Sequence, residues 1–124
     1  MAGLDRAAGA KLDPLLAELV RIRVSQINGC AFCLSLHTRA AVEAGESEER
    51  LDALASWQGS PLFTGAECAA LGLAEAMTSI GPAGVPGDVF AAAREHFGET
   101  PLAHLLWTIA AINAWNRVGI AVTP

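Results

Sequence analysis

Apolar positions recur at helical spacing along most of this chain. Leu15, Leu16, Leu19, Val20, Ile22, Val24 and Ile27 wind onto one broad face of a helix. Asp13-Pro14 precedes them as a cap followed by proline at the first helical position, and Asn28-Gly29 ends or bends the helix. A second helix is predicted from about Cys30 to Gly45, a C′ glycine. Ser47 caps a third through Trp57, with Glu48 and Glu49 in its first turn, where the helix dipole favours negative charge. Thr64 and Glu67 have capping-box spacing and open a fourth helix to about Ile80. A fifth runs from about Asp88 to Phe97, stopped by Gly98. Thr100-Pro101 repeats the cap-then-proline signature for a last helix to about Gly119. No alternating β-branched run appears. The pattern predicts an all-α bundle of five or six helices in a single domain over residues 1–124, with no linker or repeat.

Composition changes this picture in one respect. Of 124 residues, 52% are hydrophobic and only 17% charged. Average domains carry about 25% charged residues, so part of the apolar surface is expected to be covered by other copies of the chain. The net charge is −5 and basic residues are scattered. That argues against nucleic acid as a partner, which would need a basic stripe. The longest apolar run, Leu102 to Trp115, is interrupted by His104 and Asn113, so no membrane span is expected. The N-terminal MAGLDRAAGAKLD lacks the apolar core of a signal peptide, which makes the cytoplasm the expected compartment.

The chemistry concentrates in NGCAFCLSLH, residues 28–37. Spacings of three and four put Cys30, Cys33 and His37 on one helix face. At a helix N-terminus, unpaired backbone N–H groups and the dipole favour a thiolate, and C-x-x-C pairs there titrate at roughly 3.5–7.5. One turn also brings the two side chains close enough for a disulfide. His37 lies one turn beyond Cys33, where it can relay a proton or stabilise the thiolate. This makes Cys33 the expected attacking thiol and Cys30, nearer the helix entrance and expected to be the more exposed, the resolving one. Zinc is the competing reading. It needs about four ligands; the motif gives three, and His96 or His104 would have to supply another. Packing alone is the third reading. Glu18 is a carboxylate on a mostly apolar face. It is either a charge solvated or paired with Arg21 or Arg23, or a general base acting on a thiol through His37 or a water.

At these residues the sequence resembles the alkylhydroperoxidase D-like branch of the carboxymuconolactone decarboxylase family. The shared pattern is a glutamate, eleven intervening residues, then C-x-x-C-x-x-x-H: here Glu18, Cys30, Cys33 and His37. ELVRIRVSQINGCAFCLSLHTRAAVEAGE is similar to the family's core helical hairpin, and IAAINAWNRVGIA to the end of many small members. The resemblance implies a homo-oligomer, commonly a trimer or hexamer, that reduces hydrogen peroxide or organic hydroperoxides without a cofactor or metal and is recharged by an external thiol reductant or redox protein. By analogy Glu18 is the base, His37 the relay, Cys33 the peroxidatic cysteine and Cys30 the resolving one. The best-known peroxidase of this branch has a histidine where this chain has Phe32. Alternatives on the same fold are a thiol–disulfide shuttle, a small-metabolite binding protein, or a decarboxylase or lactone-processing enzyme. The last would want a cationic pocket, for which Arg117, Arg21 and Arg23 are candidates.

Cys68, in an alanine-rich stretch, reads as a small buried hydrophobe. His96 and His104 read as surface or packing residues, and Trp57, Trp107 and Trp115 as core or interface anchors. Asn113, Asn116 and Arg117 read as structural support, or as pocket residues with Arg117 facing Glu18.

Overall fold

A computed structural model describes residues 2–123, the side chains of residues 2, 4 and 5 excepted. Among the described residues seven α-helices follow one another: α1 (Ala2–Gly9), α2 (Pro14–Asn28), α3 (Ala31–Glu43), α4 (Glu48–Ala53), α5 (Gly65–Thr78), α6 (Gly87–His96) and α7 (Glu99–Val122). A 3-10 segment, Leu54–Gly59, continues α4. Among the described residues the only β feature is an isolated bridge between Gly81 and Gly84.

The caps explain most boundaries. Asp13 accepts the Leu16 N–H at 3.0 Å ahead of Pro14. Gly29 ends α2 at φ +73°, the left-handed conformation glycine adopts without strain. Thr64 and Glu67 form the reciprocal capping box.

Two predicted elements differ, and one helix is present that was not predicted. The helix α1 was not anticipated, because AGLDRAAG has no long apolar stripe. Its position is fixed by tertiary contact, with His104 of α7 bonded to the Ala8 carbonyl oxygen at 2.7 Å. The third predicted helix breaks into α4 and the 3-10 segment, with Ser56 at φ −125° and ψ 40°. Finally, α7 starts at Glu99 with Gly98 as its cap, so Thr100 and Pro101 lie inside its first turn, and it runs on to Val122.

The helix α2 lies at the centre. Leu16, Val20 and Val24 enter one core with Leu73 of α5 and Leu105, Ile109 and Ile112 of α7. Leu19 and Ile22 enter a second with Ala41, Leu54, Trp57, Phe63 and Leu71. Each fully buried Leu, Ile or Val contributes about 1.5–3 kcal/mol of transfer free energy. The remaining stripe of α2 is polar: Glu18, Arg21, Ser25 and Asn28 follow one another at intervals of three or four. Arg21 is 8% exposed and Ser25 fully buried, because α3 and α7 cover this stripe too.

By length and composition α7 could cross a membrane, which the broken run Leu102–Trp115 had not suggested. In this fold one side of it packs into the core, and a third of its most apolar stretch is buried. Leu105, Ile109 and Ile112 are fully buried, and Asn113 and Asn116 bond to α2.

Candidate active site

The polar stripe of α2 meets the start of α3 at the thiol pair. Cys30 is the N-cap of α3, in extended conformation, and its Sγ accepts the Cys33 N–H at 3.3 Å. It thus takes the place a serine or threonine hydroxyl would hold. Cys33 sits at the third helical position. A disulfide joins the two, with Cα atoms 5.3 Å apart. Both cysteines are buried, Cys30 at 3% exposure and Cys33 at 4%. The expectation that Cys30 would be the more exposed is therefore corrected. Burial comes from α7, which crosses above both: the Cys33 Sγ stands 4.0 Å from the Trp115 carbonyl oxygen, and Gly119 lies over the bond.

One turn along α3, the His37 imidazole bonds to Glu18 of α2, Nδ1 to Oε2 at 2.9 Å. Arg21 donates to the other carboxylate oxygen, also at 2.9 Å. A carboxylate can only accept, so the Glu18 bond places the imidazole proton on Nδ1. In the neutral ring this leaves the Nε2 lone pair as the proton acceptor. The side chains of Glu18, Arg21 and His37 are only 14%, 10% and 12% exposed. Beyond them lies an open cavity of about 360 Å³ bounded by Arg6, Gly9, Glu18, Arg21 and Ala40. It connects the partly buried carboxylate with solvent.

Among the described residues no group of three or more His, Cys, Asp or Glu side chains is arranged to hold a metal ion. His104 is tied to the Ala8 carbonyl oxygen, and His96 packs over Gly65. Cys68 is a partly buried free thiol, its Sγ 3.9 Å from the Phe63 carbonyl oxygen. Trp57 is buried, with Nε1 donating to Glu75 at 3.1 Å. Trp107 is not a core residue: it is 61% exposed, at the edge of an apolar hollow of about 290 Å³ with Ala7, Ala8 and Ala103.

Arg117 does not face Glu18. It donates to the Asn113 carbonyl and side-chain oxygens on its own helix, at 3.2 and 2.9 Å. Arg23 is paired with Glu75 at 2.8 Å. The three arginines considered for a carboxylate pocket are thus spread over separate contacts. Asn113 and Asn116 instead join α7 to α2. Asn28 donates to both, at 2.9 and 3.0 Å, and Asn116 donates to the Ser25 hydroxyl at 3.0 Å. Asn28, Ser25 and Gly119 were not singled out from sequence. The three-to-four spacing that links Asn28 and Ser25 to Glu18 and Arg21 was the available signal. Gly119 had none, since only the packing of α7 brings it to the sulfurs.

The model of the carboxymuconolactone decarboxylase family matches residues 1–76, which include all four residues of the motif. The chain belongs to this family. Uncharacterized protein YdfG of Bacillus subtilis is 43% identical over 105 residues, 85% of this chain and 71% of YdfG. Uncharacterized protein YnjA of Escherichia coli is 33% identical over 111 residues, which cover 90% of this chain but only 60% of YnjA. MT2376 of Mycobacterium tuberculosis is 32% identical over a region making up 38% of that protein. A crystal structure of ATU0492 from Agrobacterium tumefaciens superposes with a TM-score of 0.92 at 34% identity, covering 97% of this chain and 83% of the other. That protein is described as one of unknown function and a candidate antioxidant defence protein AhpD. Family membership and this likeness agree on the all-α fold. They leave the reaction to be argued from the site.

Proposed function

We propose that this family member is a thiol-dependent oxidoreductase that reduces hydrogen peroxide or organic hydroperoxides through Cys30 and Cys33. The observation that carries the reading is a closed Cys30–Cys33 disulfide at the start of α3, one turn before an imidazole held by a partly buried carboxylate. The description of ATU0492 as an antioxidant defence candidate points the same way.

In the reduced protein, Glu18 holds His37 with Nε2 available, and the Cys33 proton leaves toward it directly or through a water. The Cys33 thiolate attacks the distal peroxide oxygen and the O–O bond breaks. The alkoxide or hydroxide takes up the proton and departs as alcohol or water, leaving a sulfenic acid on Cys33. The Cys30 thiol then attacks that sulfur, expelling water and forming the disulfide. Two equivalents of an external thiol return both cysteines to thiols and leave as a disulfide. Phe32, 67% exposed beside the pair, offers an apolar surface to an organic hydroperoxide or a redox protein. The need for a reducing supply supports a cytoplasmic location. Exposed Leu36, Val42 and Val122 support work as a homo-oligomer, trimer or hexamer.

Stopped-flow consumption of hydrogen peroxide and organic hydroperoxides, with a dithiol reductant, tests the reading. Turnover well above a Cys33→Ser background is expected. Rates equal to that background across all peroxides would overturn it.

A further inference from the structure

The disulfide is roofed by a residue without a side chain. A Cβ built on Gly119 would stand 3.1 Å from the Cys30 Sγ and 3.5 Å from the Cys33 Sγ. Gly119 lies inside α7, three residues before its last residue Val122, and is not among the positive-φ glycines. The backbone does not require glycine there, and helix propensity alone favours alanine. What the position does require is space. Reduction replaces one covalent bond of about 2.0 Å by a non-bonded contact of about 3.5–4.0 Å and adds two hydrogens. The pair must therefore swell in a site where both residues are at most 4% exposed and α7 closes the top. Interiors this closely packed yield little, and one extra methyl is felt.

We propose that Gly119 is a positioning residue for the redox pair: its missing side chain leaves the room that the dithiol form needs beneath α7, and so sets how readily the disulfide is reduced. The inference rests on the proposed cycling of Cys30 and Cys33 between disulfide and dithiol, though not on peroxide being the oxidant. The step is the two-electron exchange in which dithiothreitol is oxidised to its cyclic disulfide and gives its two protons to the cysteine sulfurs. A methyl at this position would already press on the disulfide, 3.1 Å from the Cys30 Sγ, and should burden the swollen dithiol, which needs more of the same space, further. The bonded pair would then be harder to reduce.

The test is the equilibrium constant for reduction in dithiothreitol buffers, read by alkylation and mass, for wild type, Gly119→Ala and the exposed control Val118→Ala. Gly119→Ala should lower the constant about tenfold, which is about 30 mV for a two-electron couple. Val118→Ala should leave it unchanged. By linkage, Gly119→Ala should also stabilise the oxidised protein relative to the reduced one by the same factor in unfolding experiments. Simple helix propensity would shift both forms equally and leave the constant alone; that result overturns the proposal. A second measurement uses wild type only, in case the variant does not fold. Amides 119–122 should exchange hydrogen faster in the reduced protein than in the oxidised one, and equal exchange overturns the proposal. If wild type equilibrates with dithiothreitol but consumes no peroxide, the peroxidase reading fails while this one stands. If it turns over peroxide but Gly119→Ala changes nothing, the reverse holds.

Discussion

Glu18 and His37, nineteen residues apart on neighbouring helices, are joined at 2.9 Å with the carboxylate also clamped by Arg21. The contact fixes which imidazole nitrogen is free and holds the ring one turn beyond Cys33. If it carries the proton, Glu18→Gln and His37→Gln should each slow peroxide attack by about 10²–10⁴-fold, the range for positioned acid–base catalysis. Alkylation of reduced Cys33 at neutral pH should slow in parallel. Because both act on one proton, the double variant should lose much less than the product of the single losses. Unchanged alkylation and peroxide rates in both single variants would make this pair structural only.

The two cysteines should separate in a single-turnover experiment. Serine is a good helix N-cap, so Cys30→Ser keeps the start of α3 intact and removes only the resolving thiol. One equivalent of peroxide should be consumed at close to the wild-type rate, and Cys33 should accumulate as a sulfenic acid trapped by a dione reagent. Cys33→Ser should abolish the burst. A burst that survives in Cys33→Ser and vanishes in Cys30→Ser would reverse the two roles.

Much of this arrangement was legible in the chain. Local signals carried it where the physics is local: the cap at Asp13, the capping box at Thr64 and the stop at Gly29 each act within a few residues. The motif of Glu18, Cys30, Cys33 and His37 put the candidate residues on two consecutive helices. What was not legible depends on how helices pack. No pattern in residues 2–9 says that α1 lies on α7, or that α7 passes close enough to bury both sulfurs. Hence Cys30 looked exposed and Arg117 looked available. Trp107 shows the converse, an apolar residue left 61% exposed.

The helix α1 also bears on the site through Gly9. A Cβ there would lie 2.7 Å from an Arg21 guanidinium nitrogen. Gly9→Ala should push Arg21 aside and loosen its hold on Glu18. A displaced positioning group costs catalysis up to about 10²-fold, so kcat/KM for peroxide should fall about 10–10²-fold. The midpoint of denaturant unfolding should change little, because alanine is the better helix former. Activity and stability falling together would show a packing defect instead.

A pH dependence of stability should come from a cluster remote from the thiols. Arg50 bonds to Glu46 at 2.8 Å and to Glu67 at 2.6 Å, and its guanidinium lies 5.1 Å from the Phe63 ring centroid. Hydrogen bonds from Arg50 hold both carboxyls below their ordinary value, against the opposing effect of burial. Their contribution is complete above the unfolded carboxyl value of about 4.3 and is lost as pH falls through the lower folded values. Thermal midpoints should therefore be flat above about pH 5 and drop below about pH 4. Arg50→Met should lower stability at neutral pH by about 1–3 kcal/mol, the cost of stranding partly buried charged acceptors. It should also flatten the acid limb. An acid limb as steep in Arg50→Met as in wild type would place the titrating groups elsewhere.

Asn116 offers a test of whether the α2–α7 seam governs the thiols above it. The side chain is fully buried; it donates to the Ser25 hydroxyl and accepts from Asn28, both at 3.0 Å. Asn116→Ala removes both bonds and opens a small void. Asn28 keeps its bond to Asn113, and Ser25 still donates to the Arg21 carbonyl oxygen at 2.7 Å. The loss should therefore be about 1–3 kcal/mol rather than the sum of several stranded groups. Asn116→Asp keeps the shape but buries a charge where a donor stood, so it should cost more. Gly119 follows Asn116 by one turn, so a slackened seam should let that end of α7 lift from the disulfide. Reduction by a bulky thiol should then speed up more than reduction by a small one, which needs less clearance. If Asn116→Ala loses the expected stability but leaves the ratio of the two reduction rates unchanged, the seam and the roof are independent.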